Sequence, residues 1–425
     1  MDITTWALQL RFNFLIQLTA YVVLFISVMQ SGISGVQGAP VRITLQTLQN
    51  CRNGSSFNMT TSCCPAPDVD LNVPVVDFVP KRHGVCRVRK ALQCLSGEEL
   101  RIYTEKLTTA YEIMRNLPAS DPRSLMQQGR IHCAYCTGSF THDGLSAAAY
   151  FTIDIHFNWL FLPWHRTFVY FHERILRKLL NDESFSLHFW NFDNGADATN
   201  STQVETEGCF KPGHFVPRIY NNNSTSTFDS NRSNRTLVPN IVADLSIPGS
   251  EFFPVIPVRS ADEAVPRNRE AMQIGMERGT IPRDFFGVTF KYGDVRNLNT
   301  TGAGSLEFQP HSSMHLWIGG GVMLPATAAF DPIFYMFHAN FDRLWHIWME
   351  TGDNRKLQPT DPDWLDAEFL FWDENQVLRR VKLRDTLSIG DLGYSYEKVN
   401  DAFWMEDARI IASLASERRR RAFQL

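Results

Sequence analysis

The chain has 425 residues, 44% of them apolar and 20% charged, with a formal net charge of −4. That length holds one large domain or two ordinary ones around a sizeable core. The slightly acidic balance gives no case for nucleic-acid binding, and the closing run Arg418 to Arg421 reads as a solvated tail.

At the N-terminus Arg11 precedes an apolar run from Phe12 to Met29 and a small-residue stretch, SGISGVQGAP. That order is expected of a secretory signal peptide over residues 1–38, cleaved after Gly38. Asn13, Gln17 and Thr19 weaken the run as a membrane span, although an uncleaved anchor stays an alternative. No other run is long enough to cross a bilayer, so the mature protein is expected to have no stable membrane association. Eight N-x-S/T sequons begin at Asn53, Asn58, Asn200, Asn222, Asn223, Asn231, Asn234 and Asn299. They fit a secreted glycoprotein, extracellular or vacuolar. The eight cysteines, at 51, 63, 64, 86, 94, 133, 136 and 209, are expected to pair for the most part in such a compartment. Cys133 and Cys136 form a CxxC, but no second CxxC completes a tetrahedral zinc site.

Residues 39–85 read as an irregular, disulfide-held arm. A helix is predicted from Gly97, with Ser96 and Glu99 as a capping box and Leu100, Tyr103, Leu107, Tyr111 and Met114 on one side. Asp121-Pro122 opens a short helix toward Gln128, and Phe161 to Leu180 is a long one carrying His165 and His172. From Asn191 to Gly304, Gly, Pro and sequons predict a long loop region with short pieces of structure. Gln309-Pro310 starts another helix, and Asp331-Pro332 opens the last strong one, running to about Glu350 with Gly352 as its stop. Gln376 to Leu383 is strand-like. No internal repeat or interdomain linker appears.

Eight of the twelve histidines fall between His132 and His172 or between His311 and His338, within the most aromatic sequence of the chain. Histidine buried repeatedly among Phe and Trp needs a partner for its ring nitrogens, and a metal is one. His311 and His315, four apart, share one helical face. His338 sits on the next helix among Phe334, Phe337, Phe341 and Trp345, facing a core. His132, His156 and His165 offer a second trio, with His172 in reserve. Sites of histidine alone argue against metals that recruit carboxylates and suit copper. His346 is offset from His338 around the helix, and His83, His142, His188 and His214 have no partner at ligand spacing, so all five read as structural.

The stretches HCAYC, HFNWLFLPWHRTFVYFHERIL and WNFD, with PHSSMHLW and DPIFYMFHANFDRLW, resemble plant polyphenol oxidases (catechol oxidase, tyrosinase), a type-3 dicopper family. The likeness runs from about residue 45 to 404. It implies a mainly α fold, a four-helix-bundle core holding the dicopper site, with long loops, short β-strands and a disulfide-tied N-terminal arm. It implies a catalytic domain over 39–404 (arm 39–95) and a short tail, 405–425, without the shielding domain of relatives, hence no need of proteolytic activation. The first copper takes His132, His156 and His165, and the second takes His311, His315 and His338. The family's thioether maps to Cys136 and His156, and its disulfides to Cys51–Cys64 and Cys63–Cys133. Cys86–Cys94 would then be a third pair, leaving Cys209 odd. Glu307 stands where the family keeps a carboxylate that holds a water. Ser312 replaces an asparagine thought to orient that water, Leu316 and Pro325 fall at the substrate entrance, and Phe337 replaces a frequent second histidine. The implied activity is oxidation of o-diphenols to o-quinones with dioxygen reduced to water, with weak monophenol hydroxylation as an added possibility. A haemocyanin-like dioxygen carrier is the alternative and a dizinc hydrolase a third. Phenols and dioxygen are the expected partners.

Overall fold

The structure, a computed structural model, describes residues 38–56, 59–61, 70–80, 86–145, 151–195, 213–238, 241–247, 258–277, 281–296, 302–320, 326–350, 357–399 and 404. It is mainly helical. The principal helices are α1 (Gly97–Asn116), α2 (Leu125–Cys136), α3 (Phe161–Leu180), α4 (Ala261–Glu277), α5 (Ser312–Ile318) and α6 (Ile333–Glu350). Short strands are β1 (Val75–Asp77), β2 (Arg87–Arg89), β3 (Glu368–Trp372), β4 (Leu378–Lys382) and β5 (Tyr394–Tyr396). Helix α3 packs against both α1 and α6, and α2 packs against α1 and the turn Ala328–Phe330 that leads into α6.

Local chemistry explains most boundaries. Helix α3 spans the predicted range and ends at Asn181, whose φ of 51° lets its N–H reach back to the Arg177 and Lys178 carbonyls. Helix α6 opens where Asp331 Oδ1 accepts the Ile333 N–H at 3.0 Å. Gly352, its predicted stop, lies outside the described residues. In α1, Tyr103, Leu107, Tyr111 and Met114 are buried as the periodicity requires, while Leu100 is exposed. The expected capping box does not form: the Ser96 side chain makes no cap bond, and Glu99 pairs with Lys90 instead.

Three expectations are corrected. Asp121-Pro122 makes a turn in which Asp121 clamps Arg123 at 2.7 Å, so α2 begins at Leu125 under a Ser124 cap and runs to Cys136, carrying His132 on it. The stretch predicted as loop contains α4, seventeen residues long despite Pro266. Asn268 on α4 donates to the Ala243 carbonyl (2.6 Å) and accepts the Leu245 N–H (2.7 Å), a tertiary tie that no local pattern signals. Helix α5 starts at Ser312 rather than Gln309, because Gln309 is extended (φ −156°, ψ 122°) inside an irregular turn over Glu307–His311.

The N-terminal arm is stitched to the C-terminal part by strand pairing. Strand β1 lies parallel to β4, which pairs antiparallel with β3, and β2 lies parallel to β5. Near the end of α2, Ser55 N–H donates to the Thr137 carbonyl at 2.7 Å and Arg52 N–H to the Ser139 carbonyl at 3.0 Å. Cys51, Cys94 and Cys133 are disulfide-bonded, whereas Cys86 and Cys136 are free thiols. The Cys86–Cys94 pairing is therefore wrong. Cys63, Cys64 and Cys209 lie outside the described residues, as do 1–37, Pro325 and 405–425. No helix among the described residues is long and apolar enough to cross a membrane.

Candidate metal centre

Helix α2 supplies His132, the loop between the short strand Thr152–Ile153 and α3 supplies His156, and the N-terminal part of α3 supplies His165. Their ring centroids form a triangle with sides of 5.7, 5.6 and 5.4 Å. The donor atoms of His132, Cys136 and His156 lie within 4.8 Å of one another. His311 at the end of the irregular turn, His315 one turn on in α5, and His338 in mid-α6 form a second triangle of 4.5, 5.1 and 6.0 Å. Their donor atoms also fall within 4.8 Å of one another. The two sets adjoin: His165 stacks on His338 at 4.2 Å with 5° between planes, and His156 lies 6.0 Å from His311. Phe161 wedges between them, 4.6 Å from His165 and 4.5 Å from His311. Phe334 does the same from α6, 4.7 Å from His132 and 4.2 Å from His338.

The nitrogens tell what the cluster is for. His165 Nδ1 meets the Phe161 carbonyl at 2.8 Å, which makes Nδ1 the donor and leaves Nε2 with a lone pair and no partner. Both ring nitrogens of His338, and Nδ1 of His311, are buried without a partner. His311 Nε2 and His315 Nε2 face each other at 2.9 Å. Burial first, and then the neighbouring imidazoles, hold His165, His311 and His338 well below the ordinary histidine range. Neutral, buried, unsatisfied imidazoles are what a metal requires of its ligands. Two trios of imidazoles, with the Cys136 thiol beside the first, fit copper, and among the described residues no carboxylate joins either group. The residues present fit a copper pair.

The loop carrying His156 is fixed by groups that sequence reading missed. Asp154 Oδ1 accepts the His156 N–H at 2.9 Å, and Asp154 Oδ2 takes Arg296 Nε at 2.6 Å. Arg296 also donates to the carbonyls of Ser55 and Cys136, joining arm, α2 and loop. Asn158 Nδ2 donates to the carbonyls of Asp154 and His156. The only sequence signal for this was the spacing Asp-x-His-x-Asn. Cys136 is a buried free thiol whose pKa burial pushes well up.

Glu307 is buried beside the cluster. Its Oε1 accepts the Phe157 N–H at 2.7 Å, its Oε2 has no partner, and burial holds its carboxyl well above the usual range. Ser312 does not aim its hydroxyl outward: Oγ donates to the Glu307 carbonyl at 3.0 Å. Leu316 is half-buried on α5, and Pro325 lies outside the described residues. His172 is no ligand here, since Nε2 bonds Tyr111 Oη at 2.9 Å and its ring stacks on Tyr335 at 3.4 Å. His346 sits 3.3 Å from Glu350. His188 Nδ1 accepts the Lys90 N–H, His214 Nδ1 meets the Asn194 carbonyl, and His142 packs on Tyr292. His83 lies outside the described residues.

Residues 122–351 match the common central domain of tyrosinase, and residues 358–409 the polyphenol oxidase middle domain. A chloroplastic polyphenol oxidase of Vitis vinifera is 35% identical over 350 residues, 80% of this chain and 51% of the relative. Aureusidin synthase of Antirrhinum majus is 35% identical over 352 residues, 80% of this chain and 56% of the relative. The chain thus spans about half the length of these curated relatives. Among solved structures, the Grenache (Vitis vinifera) polyphenol oxidase superposes with a TM-score of 0.71 at 34% identity, covering 86% of this chain and 99% of that one.

Proposed function

Since the chain belongs to the tyrosinase family, on its plant polyphenol oxidase side, we propose that it oxidises o-diphenols to o-quinones at a dicopper centre. Two diphenols each give up two electrons and two protons, and one dioxygen is reduced to two waters. His132, His156 and His165 would hold one copper, and His311, His315 and His338 the other. The copper pair supplies dioxygen binding and two-electron exchange. The chain supplies the rest. The His165–Phe161 bond sets a tautomer, the Asp154–Arg296 brace holds the His156 loop, and the Phe161 and Phe334 rings keep water out of the space between the sets. Glu307 Oε2, buried without a partner beside the cluster, is the group left to exchange a proton with a phenol or to hold a water. Weak monophenol hydroxylation belongs to the same reading, with Ser312 turned away as its weak point. The four-helix arrangement of α1, α2, α3 and α6, the Cys136–His156 thioether, the pairs Cys51–Cys64 and Cys63–Cys133, and an entrance at Leu316 and Pro325 are further parts of it.

The observation that carries the proposal is the stacking of His165 on His338 at 4.2 Å, which brings the two sets of imidazoles side by side. Purified protein should hold two coppers per chain and turn over catechol with oxygen uptake. Reversible oxygen binding without turnover would make it a carrier, and zinc in place of copper would end the reading. A secretory route is supported by the apolar segment Phe12 to Met29 and by exposure of the described sequons Asn53, Asn222, Asn223, Asn231 and Asn234. The relatives are named chloroplastic, so fractionation of cells expressing the tagged chain decides between plastid and secretory destinations.

A further inference from the structure

Phe157 follows His156 directly and takes φ 59°. That is the left-handed region, which bulky side chains rarely adopt and which Gly and Asn tolerate best. The surroundings hold it there: its N–H is bound by Glu307 Oε1 at 2.7 Å, and the flanking His156 N–H by Asp154 at 2.9 Å. Gly or Asn would make the same backbone bonds with less strain, so the local backbone gives no reason for a phenylalanine. Strain kept at one residue asks what its side chain does. The Phe157 ring lies 6.2 Å from the His156 ring, tilted 50° to it. Six other rings touch the proposed ligands, those of Phe161, Trp164, Phe168, Phe334, Phe337 and Phe341, and all are buried. Phe157 is the one among the described residues that is partly exposed. It is thus the ring beside His156 that a molecule can reach from solvent.

The geometry points to Phe157 as a specificity-determining residue, the aromatic wall against which a phenol ring packs, held in a strained backbone conformation by the Glu307 carboxylate. This rests on the phenol-oxidation reading. The ring is worth having because offset or edge contacts between aromatic rings add to simple burial. Glu307 acts on it only through the backbone, so changing the side chain at 157 leaves that bond intact.

The test compares Phe157→Ala, Phe157→Asn and Phe157→Gly with wild type. All three lose the ring, and each should raise the KM for catechol about three- to tenfold, the loss of one aromatic contact, with kcat within about twofold; Phe157→Tyr should restore KM. Unfolding temperature of the metal-free proteins should follow a different order. Asn and Gly accept the left-handed conformation and Ala does not, so both should melt a few degrees above Phe157→Ala. A purely structural role would instead make KM worsen in step with stability. Unchanged KM in all three variants, or a Phe157→Ala protein as stable as Phe157→Gly, would overturn the inference. Binding of 4-nitrocatechol to the copper-loaded proteins keeps the two questions apart. If wild type binds it without oxidising catechol, the functional reading fails, and the ratio of dissociation constants then decides the role of Phe157: weakening in the ring-less variants supports it and equal binding overturns it.

Discussion

Helices α3 and α6 carry two buried polar clusters that adjoin in sequence and differ in kind. His165 and His338 belong to one. Arg166, one residue on, and Asp342, one turn on, belong to the other, with Glu173, Arg89 and the tyrosines of β5. In the second cluster every carboxylate oxygen is satisfied. Glu173 Oε1 takes Arg177 at 2.9 Å, while Oε2 takes Arg89 at 2.8 Å and the Leu187 N–H at 2.9 Å. Asp342 Oδ1 takes Arg166, and Oδ2 takes Tyr394 and Tyr396, both at 2.6 Å. Arg89 lies 3.8 Å from the Tyr394 ring, and Arg166 3.5 Å from that of Trp345. In the first cluster His165 and His338 keep unpartnered nitrogens. Both clusters are buried, but in one every carboxylate oxygen is met, with Arg89 Nη2 left over, while in the other His165 Nε2 and both His338 nitrogens meet no partner among the described residues. A satisfied buried network holds a fold together, whereas an unsatisfied one marks a place for a ligand.

That contrast can be broken by experiment. The largest effect is expected from His338→Leu: catechol turnover should fall by well over about 100-fold, beyond the loss seen when only a ligand's outer support is disturbed. Yet the metal-free variant should unfold in urea no more easily than wild type, because an apolar side chain replaces a buried imidazole with no partner. Asp342→Leu should do the reverse to the metal-free protein. It removes the buried carboxylate that Arg166, Arg89, Tyr394 and Tyr396 share, and chemical denaturation should show a loss of about 3–5 kcal/mol. If both variants destabilise the metal-free protein equally, the distinction between the clusters is false.

A third test uses a buried histidine outside the cluster. Burial lowers His188 to about 3, while the unfolded chain titrates near 6.5. The folded value is the depressed one, so this contribution is fully present above about pH 6.5 and is lost as pH falls toward 3, with a slope of up to about 1.4 kcal/mol per pH unit. His188→Asn should flatten the stability–pH curve in that window, which urea titrations at stepped pH will show. The smallest effect on stability is expected from Cys136→Ser, about 1 kcal/mol or less when compared in the metal-free protein before any crosslink forms, where Cys136 is a buried free thiol. Peptide mass mapping of wild type should find residues 136 and 156 linked. Serine should abolish the link and speed copper loss to a chelator.

Much of this was legible along the chain because it depends on short-range periodicity and residue chemistry. The spacing of His311 and His315 and the aromatic setting of His338 pointed to ligands, and α3 was predicted to its ends from its long helical run. Failures came where distant partners override local preference. Pro266 and a polar surface hid α4, which Asn268 ties to residues 243–245. Ser96 had the right neighbour for a capping box, but Lys90 drew Glu99 away. The pairing of Cys86 with Cys94 was what remained once the resemblance had assigned the other two disulfides, and the fold left Cys86 a thiol.

The sequence by itself determined the family, the histidine-rich make-up of the candidate site and the helices that carry His165, His315 and His338, since these are written in patterns a few residues long. Only the tertiary structure decided that Asp154 and Arg296 brace the His156 loop, that Phe157 is forced into a left-handed backbone by Glu307, and that Asp342 gathers two arginines and two tyrosines. Each of those joins residues tens to hundreds of positions apart. Their worth comes from burying polar atoms together, and burial is a property of the packed chain.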